Sequence, residues 1–122
     1  MAVVIDDEEI VLLGLRSILE GWGYEVLGAS TAEQAIDLLR GTGRTPDIVV
    51  SDYRLRGGHT GTEAVLAVRE LANVCVPGII LTGDVSAECR REAHEHGLGI
   101  ALKPVMPQQL QRSLDRLLKA TG

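Results

Sequence analysis

Asp47-Ile48-Val49-Val50-Ser51-Asp52 is the stretch that decides the fold. Three consecutive β-branched residues, then a serine and an aspartate, read as a short strand buried on both faces and closed by a carboxylate. Working outward, three further apolar runs end the same way, each in a different reactive group. Ala2–Ile5 stops at Asp6-Asp7, Gly78–Leu81 at Thr82, and Gly99–Leu102 at Lys103-Pro104. As parallel strands of one sheet, these runs would set their carboxyl ends along one edge. Three carboxylates, a hydroxyl and an ammonium would then share a crevice.

The intervening segments carry helical signals. From Glu8 or Glu9 to about Glu20, Ile10, Leu13 and Ile18 recur at helical spacing, and Gly21 and Gly23 end the run. Tyr24–Gly28 reads as a strand. Ser30 with Glu33 is a capping-box signal for a helix through Leu39, closed by Gly41, with Thr42–Pro46 as a polar loop. Leu55–Thr60 is a glycine-rich loop, and Thr60 with Glu63 offers a second capping box for a helix to about Ala72. Pro77 precedes the Gly78 strand, Ser86 can cap a helix to His96 stopped by Gly97, and Ile100–Leu102 is a strand. Pro107–Lys119 closes the chain as an amphipathic helix with Leu110, Leu114, Leu117 and Leu118 on one face. Alternating strands and helices with short connections predict right-handed βαβ units. The expected fold is α/β, a doubly wound five-stranded parallel sheet with helices on both faces, as a single domain over residues 1–122. In such sheets ligands bind outside the carboxyl ends of the strands, where the reactive groups fall.

Composition narrows the function. With 45% hydrophobic and 24% charged residues the 122-residue chain is globular. A net charge of −5 and only Trp22, Tyr24 and Tyr53 as aromatics argue against a nucleic-acid surface. No apolar stretch approaches the roughly 20 residues of a membrane span, and MAVVIDDEE lacks the basic start of a signal peptide. Cys75 and Cys89 read as reduced thiols of a cytoplasmic protein, with Cys75, between Val74 and Val76, expected in the core. His94 and His96 do not share a helix face and make no metal site, His59 reads as solvent-exposed, and Trp22 should pack near the end of the first helix. Leu12, Leu13, Leu15 and Leu19 read mostly as core.

Three adjacent carboxylates repel unless a cation intervenes. Oxygen-only donors favour a hard ion such as Mg2+, with Asp7 and Asp52 as direct ligands and Asp6 acting through water. Asp52, at the end of the central strand, is placed to attack phosphorus and form an acyl phosphate. Lys103 and the Gly83 amide would neutralise the equatorial oxygens, and the Thr82 hydroxyl could bind the new phosphoryl group. Singly, these features are ordinary: an acidic helix start, a turn aspartate, a β-branched filler, a helix-opening Lys-Pro. Their order at successive strand ends argues for one site.

These residues resemble a response-regulator receiver domain over essentially the whole chain. The family's acidic pair matches Asp6 and Asp7, its phosphoacceptor Asp52 in DIVVSD, its switch hydroxyl Thr82 in IILTGD, and its lysine Lys103, followed by Pro104 in a cis peptide. The resemblance implies a flavodoxin-like sheet of order 2-1-3-4-5, with the Arg54 backbone carbonyl completing the Mg2+ shell. It implies a phosphoryl group taken from a histidine kinase or histidine phosphotransfer domain, with weak self-association left open. It implies a signalling domain, not an enzyme beyond self-phosphorylation from small donors and slow autodephosphorylation. It also places part of the first helix against the partner's histidine-bearing helices.

Three positions depart from the family pattern. Its aromatic switch falls on Ile100, which cannot swing a ring as the partner of Thr82. The loop YRLRGGHTG is one residue longer than usual, and Gly57-Gly58 should make it mobile. Arg54 and Asp84 flank the acceptor and could pair across its mouth. The wording SDYRL, TG, LTGD and LKPV resembles receivers at the C-terminal end of hybrid sensor kinases, and the expectation is a phosphorelay or phosphate-sink receiver without an output domain. A small phosphohydrolase would need an acid where Arg54 stands and a cap domain. A degenerate receiver would not keep the Asp, Thr and Lys set.

Overall fold

The computed structural model describes residues 1–121, with side chains through Leu118. Its strands are β1 (Ala2–Ile5), β2 (Val26–Ala29), β3 (Ile48–Asp52), β4 (Gly78–Thr82) and β5 (Gly99–Leu102). Between and after them lie α1 (Glu9–Gly21), α2 (Ala32–Thr42), α3 (Gly61–Ala72), α4 (Ala87–His96) and α5 (Pro107–Thr121). All strand pairs are parallel, in the order β2-β1-β3-β4-β5. Every residue of β1, β3 and β4 is buried, as strands covered on both faces require.

The strand period of two sorts the core into two layers. Val3, Ile5 and Val49 point toward Ala35, Leu39, Val65 and Val68 of α2 and α3. Ala2, Val4, Ile48 and Val50 point toward Leu15 and Leu19 of α1 and Leu110 and Leu114 of α5. Burying a leucine such as Leu19 completely contributes about 1.5–3 kcal/mol, so these layers supply the stiffness under the sheet edge.

The helix ends follow local chemistry. The Thr60 hydroxyl accepts the Glu63 N–H at the start of α3, and the Ser86 hydroxyl accepts the Cys89 N–H at the start of α4, as expected. Gly97 ends α4 at φ 65°.

Several expectations need correction. The cap of α2 is Thr31, accepting from the Gln34 N–H; Ser30 lies one residue outside and donates to the Gln34 side chain instead. That helix closes at Gly43, with φ 62°, not at Gly41. The second strand begins at Val26, later than Tyr24. Cys75 is exposed, and the core thiol is Cys89 on α4. Ile10 and Leu13 match the helical period yet lie 86% and 56% exposed, because α1 turns only Leu15, Leu19 and their flanks to the sheet. Leu110 and Leu114 are buried in the way the α5 pattern implies, whereas Leu118 is 39% exposed. Trp22 caps the end of α1, 37% exposed.

Candidate functional site

The carboxyl ends of β1, β3, β4 and β5 do converge. Asp6 leaves β1 fully buried, and its Oδ1 accepts the Glu8 N–H at 2.9 Å, which turns the chain into α1. Glu8 is the residue before that helix, but its side chain does not cap it. Asp52 ends β3 beside Leu81, 9% exposed. A Cβ on Gly61 would lie 2.4 Å from the Asp52 carbonyl oxygen, so only glycine lets α3 start this close behind the acid.

Lys103 crosses from β5. Its N–H donates to the Thr82 carbonyl at 2.9 Å, and its peptide to Pro104 is cis. Its Nζ stands 3.2 Å from Asp6 Oδ2, 3.3 Å from Asp52 Oδ2 and 3.6 Å from Glu8 Oε1. Burial pushes the Asp52 carboxyl above its ordinary range, helped by repulsion from Asp6 and Asp7 and opposed by Lys103. Burial alone would lower the Lys103 ammonium, but attraction to Asp52 and Asp6 wins and raises it. Both directions describe one ammonium shared by acids that cannot otherwise sit together.

The remaining candidates divide. The Thr82 hydroxyl donates to the Asp84 carbonyl at 2.9 Å and accepts the Asp84 N–H at 3.3 Å, so it is engaged in its own loop. Gly83 is exposed beside it. Asp7 turns away from Lys103 and meets Arg56, whose Nε is 3.5 Å from Asp7 Oδ2. Arg54 and Asp84 are both exposed and form no ion pair with each other. Arg54 instead joins the backbone of Thr60 in a short antiparallel bridge. Ile100 is half-buried opposite Ile80 and packs on the core. His59 is exposed, with Nδ1 3.4 Å from the Glu63 carboxylate.

Sequence reasoning missed two partners. Asp6, Glu8 and Asp52 each offer an oxygen, all within 4.8 Å of one another. Glu8 was readable only as a helix start, yet its Oε1 lies 3.6 Å from Lys103 Nζ. The second is Tyr53, whose buried hydroxyl donates to the Glu92 carboxylate and ties the end of β3 to α4. Burial, then that bond to Glu92, raises the Tyr53 hydroxyl above its ordinary range.

The donor set suits a hard divalent cation: it is all oxygen, and the buried Asp6 Oδ2 already meets a positive group, the Lys103 ammonium, at 3.2 Å. A doubly wound parallel sheet with this acid, hydroxyl and lysine edge matches one family description, the response regulator receiver domain, over residues 2–115. The chain belongs to that family.

Relatives of the receiver agree with this. It is 30% identical over 122 residues to the transcriptional regulatory protein ZraR of Escherichia coli O157:H7, covering 98% of this chain and 26% of ZraR. The receiver therefore spans about a quarter of that relative's length. Its fold is similar to the chemotaxis protein CheY4 of Vibrio cholerae, with TM-score 0.82, 28% identity and coverage of 95% and 96% of the two chains. A receiver domain from Clostridium thermocellum matches with TM-score 0.83 and 25% identity, covering 98% of this chain and 94% of that one. The family's role is to accept a phosphoryl group in two-component signalling, and its receivers bind Mg2+ at their acidic pocket. No described helix is long and apolar enough to cross a membrane.

Proposed function

We propose that Asp52 is the phosphoacceptor of this receiver, taking its phosphoryl group from a phosphohistidine on a kinase or phosphotransfer domain in the cytoplasm. The observation that carries the reading is the Lys103 ammonium, within 3.3 Å of both Asp6 and Asp52 at the carboxyl edge of the sheet. An Asp52 oxygen attacks phosphorus in line, the bond from phosphorus to the imidazole nitrogen breaks, and an aspartyl phosphate remains. Lys103 is then already placed against a phosphoryl oxygen. The Thr82 hydroxyl reaches the new group by giving up its bond to the Asp84 carbonyl, drawing the β4–α4 loop inward. The Gly83 N–H offers a further donor.

Asp7, Asp52 and the Arg54 carbonyl would hold Mg2+, with Asp6 acting through water; Glu8, within 4.8 Å of Asp6 and Asp52, could add an oxygen. The ion supplies charge neutralisation between the acids and the incoming phosphoryl oxygens. With Ile100 in place of a ring, the reading keeps the receiver in a phosphorelay or phosphate-sink role, as in hybrid kinases.

Incubation with acetyl phosphate and Mg2+, followed by mass mapping, tests this. A single adduct on Asp52, absent from Asp52→Asn, supports it. Fast multiple turnover on phosphomonoesters would point instead to a phosphohydrolase. Neither adduct nor metal affinity would leave a binding module.

A further inference from the structure

Arg56 opens a short 3-10 turn, Arg56–Gly58, closed by the Leu55 N–H donating to the His59 carbonyl at 2.9 Å. Gly57 and Gly58, which follow Arg56, hold φ of 80° and 79°, left-handed positions that glycine takes without strain. The Arg56 Nε stands 3.5 Å from Asp7 Oδ2, with the arginine side chain 75% exposed and the aspartate 26%.

A guanidinium and a divalent cation on one carboxylate repel each other over a few ångströms, so the two do not share Asp7 comfortably. We propose that Arg56 is a tethered competitor for the metal: the chain's own cation holds Asp7 until Mg2+ displaces it. The inference rests on the magnesium reading above. Lys103 differs, because it sits on Asp6 and Asp52, behind the mouth. Arg56 can leave at little cost, since exposed ion pairs contribute little and water accepts both partners. The consequence is a lowered but not abolished affinity, set by a loop residue whose ion pair is with Asp7 and not with the acceptor.

Mg2+ titration of the whole chain by calorimetry, with amide resonances followed in parallel, tests it. Arg56→Gln should bind Mg2+ about two- to fourfold more tightly at low ionic strength, and the gain should shrink as salt screens the pair. In the parent, the Gly57 and Gly58 amides should shift in step with metal occupancy. Arg40→Gln removes the same charge from the same groove, where Arg40 pairs with Asp37 instead, and should bind as the parent does. Equal affinity for Arg56→Gln and parent overturns the inference alone. An equal gain in Arg40→Gln overturns it too, by assigning the effect to net charge. Absence of Mg2+ binding in every protein overturns it together with the magnesium reading.

Discussion

Lys103 and Arg56 are both cations set against acids from the turn between β1 and α1, yet they live in different media. Lys103 lies at the floor, 19% exposed, against Asp6, Asp52 and Glu8. Arg56 lies at the rim, 75% exposed, against Asp7. At the floor a missing partner leaves the fully buried Asp6 carboxylate uncompensated, whereas at the rim water replaces the partner. The same pairing of charges is therefore structural in one place and exchangeable in the other.

The largest expected effect breaks the floor. Lys103→Met leaves Asp6 and Asp52 uncompensated and should cost about 1–3 kcal/mol in urea unfolding without metal, with added Mg2+ restoring part of it. A loss no greater than that of a rim variant would erase the distinction.

Tyr53, adjacent to Asp52 in the chain, comes next. Tyr53→Phe takes the donor from Glu92 and should cost about 1 kcal/mol. The alkaline limb carries a second signature. Cys89 is raised by burial from 9.0, Tyr24 by burial from 10.0, and Tyr53 by burial and Glu92 from 10.0. Unfolded chains lose these protons first, so unfolding releases protons and stability falls as pH rises above about 9 and again above about 10. Tyr53→Phe should flatten the second fall, and an unchanged slope in alkaline urea titrations would contradict the buried hydroxyl.

Asp52→Asn sharpens the contrast with a gain. Because burial and its neighbouring acids raise the Asp52 carboxyl, its ionised form strains the fold, and the amide should raise Tm by about 2–4 °C while abolishing the adduct. The smallest effect belongs to the outer acid: Glu8→Gln should change stability by under about 0.5 kcal/mol, since its side chain is 67% exposed. A change as large as that of Lys103→Met would move Glu8 to the floor.

The strand ends were legible because apolar runs closed by Asp, Thr and Lys mark both the sheet and its working edge. Asp6, Asp52 and Lys103 come together from that pattern alone. Asp7 does not join them, because the partner that claims it, Arg56, sits in a loop whose path depends on two glycine φ values that no period reveals. The Arg54 and Asp84 pairing failed for a related reason: both side chains point into water, where attraction is weak. Cys75 misled because its apolar neighbours, Val74 and Val76, suggested core, whereas it lies in the exposed connection ahead of β4. Helical spacing put Ile10 and Leu13 inside, but the sheet reaches only one flank of α1 and leaves them out.

The exposed Cys75 has a practical use. It precedes the amino end of β4, the strand whose opposite end carries Thr82, while Cys89 is buried on the inner face of α4. A maleimide dye would therefore attach to one native thiol, a strand's length from the chemistry, and give a singly labelled reporter of partner docking with no engineered residue.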